Sequence, residues 1–147
     1  MKYTITTNLN LQNMIKKITR ILFAVFFALL MISCKNTKQK LQEYVAKYNI
    51  EAGSFKSENV TLTTARGYLN DNKIELRFET NLENNETNKK KAEEKFPVLL
   101  KGMIKKGQIS KELIEEGVAF HVYFLANDNT VFVKQIINKE EMDSLLK

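Results

Sequence analysis

Polar and apolar residues alternate most strictly at Lys73–Thr80, where Ile74, Leu76 and Phe78 interleave with Lys73, Glu75, Arg77 and Glu79. A period of two marks a strand with one buried and one wet face. The β-branched run Val60-Thr-Leu-Thr-Thr-Ala65 predicts a strand running toward Leu69. Asn70-Asp71-Asn72 supplies a turn before Lys73, because Asn and Asp tolerate left-handed backbone. A second pair is predicted at Val118–Ala126 and Thr130–Ile137, joined by Asn127-Asp128-Asn129.

Between and around these strands the apolar spacing changes to three and four. Leu41, Tyr44, Val45 and Tyr48 predict a short amphipathic helix, stopped near Gly53 and Ser54. Ala92, Phe96, Leu99, Leu100, Met103 and Ile104 predict another over 89–106, interrupted or started near Pro97 and closed by Gly107. Ser110 is the expected N-cap of a short helix through Glu116 that Gly117 ends. Asn138-Lys-Glu-Glu141 resembles a capping box before a last helix carrying Met142, Leu145 and Leu146. The order is α-β-β-α-α-β-β-α. The expected fold class is α+β: a four-stranded antiparallel sheet of two β-hairpins with helices packed on one face. The Asn-Asp-Asn turn occurs twice, but little else matches between the halves, so a duplicated unit is not inferred.

One apolar stretch has neither period. Ile21–Ile32 is unbroken, follows Lys16, Lys17 and Arg20, and ends at Ser33-Cys34. It is shorter than the ~20 apolar residues that cross a bilayer, and a basic segment before a short greasy one is the pattern of an export signal. The long basic region suggests that translation begins at Met14 rather than Met1. Met31-Ile32-Ser33-Cys34 resembles the lipobox of bacterial prolipoproteins, with Met31 in place of the usual Leu. That resemblance implies diacylglycerol on the Cys34 thiol, cleavage after Ser33, and N-acylation in many bacteria. Two or three acyl chains anchor stably where one does so only marginally. Ser-Cys-Lys and the excess of Lys and Asn are similar to lipoproteins of Bacteroidota. The expected organisation is a cleaved signal at 1–33, a lipidated tether at 34–40 and one α+β domain at 41–147.

Charge is read differently once the signal is removed. The whole chain is +6, but the signal holds four basic residues and no acids, leaving 19 basic against 17 acidic, a net of +2. That balance, with Arg at only 20, 66 and 77, gives no warrant for nucleic-acid binding. With Cys34 acylated no thiol is left for disulfides or thiolate metal sites.

Candidate chemistry is sparse. His121 is the one histidine, too few for a typical zinc site, and no serine sits in a nucleophile-elbow context. The adjacent pairs Glu93-Glu94, Glu115-Glu116 and Glu140-Glu141 diverge on a helix and cannot face one another as paired catalytic carboxylates do. No calcium loop or glycine-rich phosphate loop is present. We therefore expect no catalytic residue, no metal and no cofactor. His121, Tyr123 and Leu125 share a strand face and are candidate interface residues. Lys89, Lys90, Lys91, Lys101, Lys105 and Lys106 are candidate contacts for an anionic surface, against the plainer reading of a solvated helix face.

The resulting expectation is a non-enzymatic, lipid-anchored envelope protein that binds a protein or envelope component through a sheet face. Two alternatives are a small envelope enzyme or ligand binder with a pocket around His121, and an immunity or inhibitor lipoprotein. Lys35 is not the Asp that retains enterobacterial lipoproteins at the inner membrane, and no acidic surface-export stretch follows Cys34. Both points favour the outer membrane, facing the periplasm.

Overall fold

The computed structural model of the chain describes residues 36–54 and 59–147. The proposed signal, the Cys34 lipidation site and Lys35 lie outside the described residues. Helix α1 (Thr37–Glu51) leads through a 3-10 turn (Ala52–Ser54) to β1 (Val60–Tyr68) and β2 (Lys73–Thr80). Helices α2 (Glu86–Lys105) and α3 (Lys111–Glu115) follow, then β3 (Ala119–Leu125), β4 (Val131–Ile137) and α4 (Lys139–Leu146).

The four strands lie in the order β1-β2-β3-β4. β1–β2 and β3–β4 are antiparallel hairpins as expected, but β2 and β3 run parallel, so the sheet is mixed rather than wholly antiparallel. The reason is length. Helix α2 has 20 residues, about 30 Å at 1.5 Å per residue, which exceeds the eight residues of β2 at about 3.3 Å each. The helix therefore carries the chain back to the end of the sheet from which β2 started, and β3 enters in the same direction.

Local signals set the element ends. Asn72 and Asn129 adopt positive φ in the two hairpin turns, and Gly107 and Gly117 do so after α2 and α3. Ser110 and Asn138 accept from the backbone N–H groups of Leu113 and Glu141, as N-caps do. Several boundaries differ from the sequence reading; α2 starts at Glu86 rather than at 89. Residues 37–40, assigned to the tether, form the first turn of α1 under an Asn36 N-cap, and Thr37 and Lys40 bond to Glu116 beyond α3. Pro97 lies inside α2 without ending it. The carbonyl it deprives of a partner belongs to Glu93, on the exposed side of the helix where water can serve instead.

All four helices cover one face of the sheet. Leu41 and Tyr48 of α1, Phe96, Leu100 and Ile104 of α2, Leu113 and Ile114 of α3, and Met142 of α4 form one core with Ile74, Leu76, Phe120 and Val122. Helix α1 packs mainly on β1 and α2 on β4, at opposite edges of the sheet. Gly67 permits the first approach: its position leaves Leu41 Cδ2 2.5 Å from where a Cβ would stand. The half-buried Tyr44 donates its hydroxyl to the Gln108 carbonyl at 2.5 Å and ties α1 to the segment after α2.

Candidate functional site

No described helix covers the other sheet face, and pairing register sets its residues in rows. One row runs Arg66, Glu75, His121, Ile136 across β1 to β4; the next runs Thr64, Arg77, Tyr123, Lys134. Glu75 is held from two sides, by Lys73 at 3.1 Å and by the Tyr68 hydroxyl donating at 3.0 Å. Burial opposes its charge, but these hydrogen bonds outweigh it and lower its pKa. Lys73 also lies 3.9 Å from the Tyr68 ring centroid. In the second row Arg77 and Lys134 approach the Tyr123 ring at 5.9 and 5.3 Å. Among the described residues neither cation is in an ion pair.

His121 is half-buried in the first row. Burial lowers its pKa, and Lys134 and Lys73 lower it further against a smaller pull from Glu75, so the imidazole is neutral at pH 7. Its nearest carboxylate is already engaged by Lys73 and Tyr68. Ser54 is spent on the Glu51 carbonyl and Ser110 on a helix cap, and neither belongs to this face. No cluster of three or more His, Cys, Asp or Glu suited to a metal occurs among the described residues. The face brings together the Tyr68 and Tyr123 rings, the cations of Lys73, Arg77 and Lys134, and the His121 imidazole.

The structure divides the three predicted interface residues. His121 and Tyr123 lie on the open face, but Leu125 is 0% exposed. It stands where the β3–β4 pairing slips, between Phe124 and Leu125, at the strand end, and presents no surface. Sequence alternation alone could not show that slip.

A concave feature lies on the helical side. A cleft of about 670 Å³ opens between α1 and α2. Thr63, Phe78 and Phe124 floor it, Tyr48, Phe96, Leu99 and Met103 wall it, and Lys91, Lys95 and Lys106 rim it. His121 lines neither this cleft nor a smaller hollow beside β1. Of the six predicted lysines only Lys91 and Lys106 reach the cleft; Lys89, Lys90 and Lys105 are exposed elsewhere and Lys101 is half-buried. Lys95 was not among the predicted contacts. Its signal was the four-residue spacing from Lys91, which flanks the Ala92–Phe96 pair on the same helix.

No family model and no curated protein matches this chain. Among solved structures, the type II secretion system pilotin AspS from Vibrio cholerae aligns with a TM-score of 0.36 at 10% identity, over 70% of this chain and 95% of that one. A likeness so loose carries no argument about this chain.

Proposed function

We propose that this chain is a lipid-anchored envelope protein that binds a partner protein through the open face of its sheet and catalyses no reaction. The lipobox-like Met31-Ile32-Ser33-Cys34 supports the anchor. The observation that carries the binding role is Tyr123, flanked by Arg77 and Lys134, with no carboxylate among the described residues paired to either cation. Tyr and Arg on a flat surface are the residue types that concentrate binding energy at interfaces. Basic residues outnumber acidic ones on the face, with Arg66, Lys73, Arg77 and Lys134 against Glu75 and Glu79, so the partner is expected to present carboxylates. An immunity or inhibitor protein is a special case of this reading. The enzyme reading is less favoured because His121 lines neither cleft and its neighbouring carboxylate is occupied. We place the anchored protein at the periplasmic side of the outer membrane, from Lys35 after Cys34.

The anchor is tested by mass spectrometry and membrane fractionation of the native protein. Acylated Cys34 at the amino terminus supports it, and an intact leader with a free thiol sinks it. The face is tested by a photo-crosslinking residue at Tyr123 in intact cells, with Glu140 as the control position. One discrete adduct from position 123, absent at 140 and lost with Arg77→Glu, is expected. Equal products from both positions, or none from 123, overturn the assignment.

A further inference from the structure

The cleft between α1 and α2 is separate from the open face, and its chemistry is one-sided. Its lining residues along α2 run from Asn88 to the C-cap Lys106, a span of about 27 Å at the helical rise. A hydrocarbon chain is about 4–5 Å wide from carbon contact distances. The trough runs along α2, between its apolar residues and the strand residues Thr63, Phe78 and Phe124, which suits an extended chain lying parallel to the helix. Its volume also falls within the range of about 300–1,000 Å³ usual for small-ligand sites.

The charge on its rim has one sign. Among the described residues that line the cleft, Lys91, Lys95 and Lys106 are the charged ones and none is a carboxylate. None of the three is in an ion pair among the described residues. Lys91 and Lys95 stand one helical turn apart, a like-charged spacing that costs an isolated helix about 0.2–0.5 kcal/mol. An anion between them would remove that repulsion. Next to them the lining becomes apolar, with Ala92, Phe96, Leu99 and Met103 following along α2. Leu99 is 39% exposed, a large side chain left at the mouth.

We propose that this cleft binds a single acyl chain ending in an anionic head group. The chain lies along Phe96, Leu99 and Met103, and the head sits between Lys91 and Lys95. At the far end the aliphatic stem of Lys106 can pack on the chain. A free fatty carboxylate and an anionic lysophospholipid share this chemistry. The inference does not depend on acylation of Cys34 or on the partner role of the open face.

The test uses the full chain in nanodiscs of phosphatidylcholine, with a photoactivatable palmitate analogue and peptide mapping of the labelled sites. Labelling is expected to concentrate on residues 96–103 and to fall at least fivefold with excess palmitate but not with its methyl ester. Lysophosphatidylglycerol is the second competitor and lysophosphatidylcholine its neutral control. Stronger displacement by palmitate names a free fatty acid, and stronger displacement by lysophosphatidylglycerol names a membrane lipid; either supports the site. Lys91→Glu with Lys95→Glu changes only exposed side chains and should cut labelling about tenfold without lowering the melting temperature. Leu99→Asp, also at an exposed position, is the second variant and should act alike. Label spread evenly over the chain, displacement by the methyl ester, or preferential displacement by a Glu- and Leu-rich helical peptide would overturn the proposal.

Discussion

Individual side chains decide two properties that can be measured. Gly67 faces α1 so closely that any Cβ would meet Leu41 Cδ2 at 2.5 Å and Val45 Cγ2 at 3.3 Å. Leu41 is 1% exposed and cannot swing away, so Gly67→Ala should destabilise the domain by about 1–3 kcal/mol, as overpacking does. A urea midpoint unchanged from wild type would show that α1 can retreat freely. His121 gives a pH signature. Its folded pKa lies below the value of 6.5 for a free imidazole, so between the two the unfolded chain binds more protons and stability rises with pH. The groups facing it are Lys73, Lys134 and Glu75. Glu75 titrates below its ordinary value of 4.5, outside this window. Urea midpoints should therefore fall as the pH is lowered from 7.5 to 5.5, and His121→Gln should flatten that dependence. A slope of the same size in the variant would assign it to other groups.

Elements are held together by contacts that the chain pattern conceals. β1 is an edge strand, and its free backbone groups could pair with another chain. Asn49 of α1 meets them: its side chain donates to the Ala65 carbonyl at 2.9 Å and accepts from the Ala65 N–H at 2.8 Å. Asn49→Ala should cost about 1–2 kcal/mol for the two bonds and leave that edge free. Light scattering should then show concentration-dependent self-association absent from wild type, and a monodisperse monomer would refute the edge-guarding role. This clamp was not legible in advance, because an Asn at the solvent side of a predicted helix carries no sign of what it will meet. Turns and caps were legible, because Asn72, Asn129, Gly107 and Gly117 act on backbone within a few residues. The direction of β3 was misread although its cause was present: a helix longer than the preceding strand reverses the chain by itself. The cleft was half legible, since Lys91 and Lys106 were singled out but their apolar floor comes from strands distant in sequence.

At the scale of the whole molecule, α1 is the element on which the others depend. Residues 36–147 form one compact unit, with α1 covering the β1 side of the sheet. Its buried Leu41 and Tyr48 each contribute about 1.5–3 kcal/mol when removed from water, and the half-buried Tyr44 and Val45 packed against the same core add less each. Against the roughly 5–15 kcal/mol that holds a typical domain folded, that is a large share. Lys40 adds a polar tie across to Glu112 and Glu116, which sets the start of α1 against α3. A chain beginning at Asn36 should therefore unfold cooperatively, with the midpoint of the longer protein, because its core is closed. A chain beginning at Gly53 should lose its near-ultraviolet circular dichroism and bind a hydrophobic dye, since Ile74, Leu76 and Phe120 would stand uncovered on the β1 side. Retention of a sharp thermal transition by the shorter fragment would mean that α2, α3 and α4 alone can roof the sheet. The cleft would then have lost its Tyr48 wall while the fold survived, which would make α1 an appendage rather than part of the core.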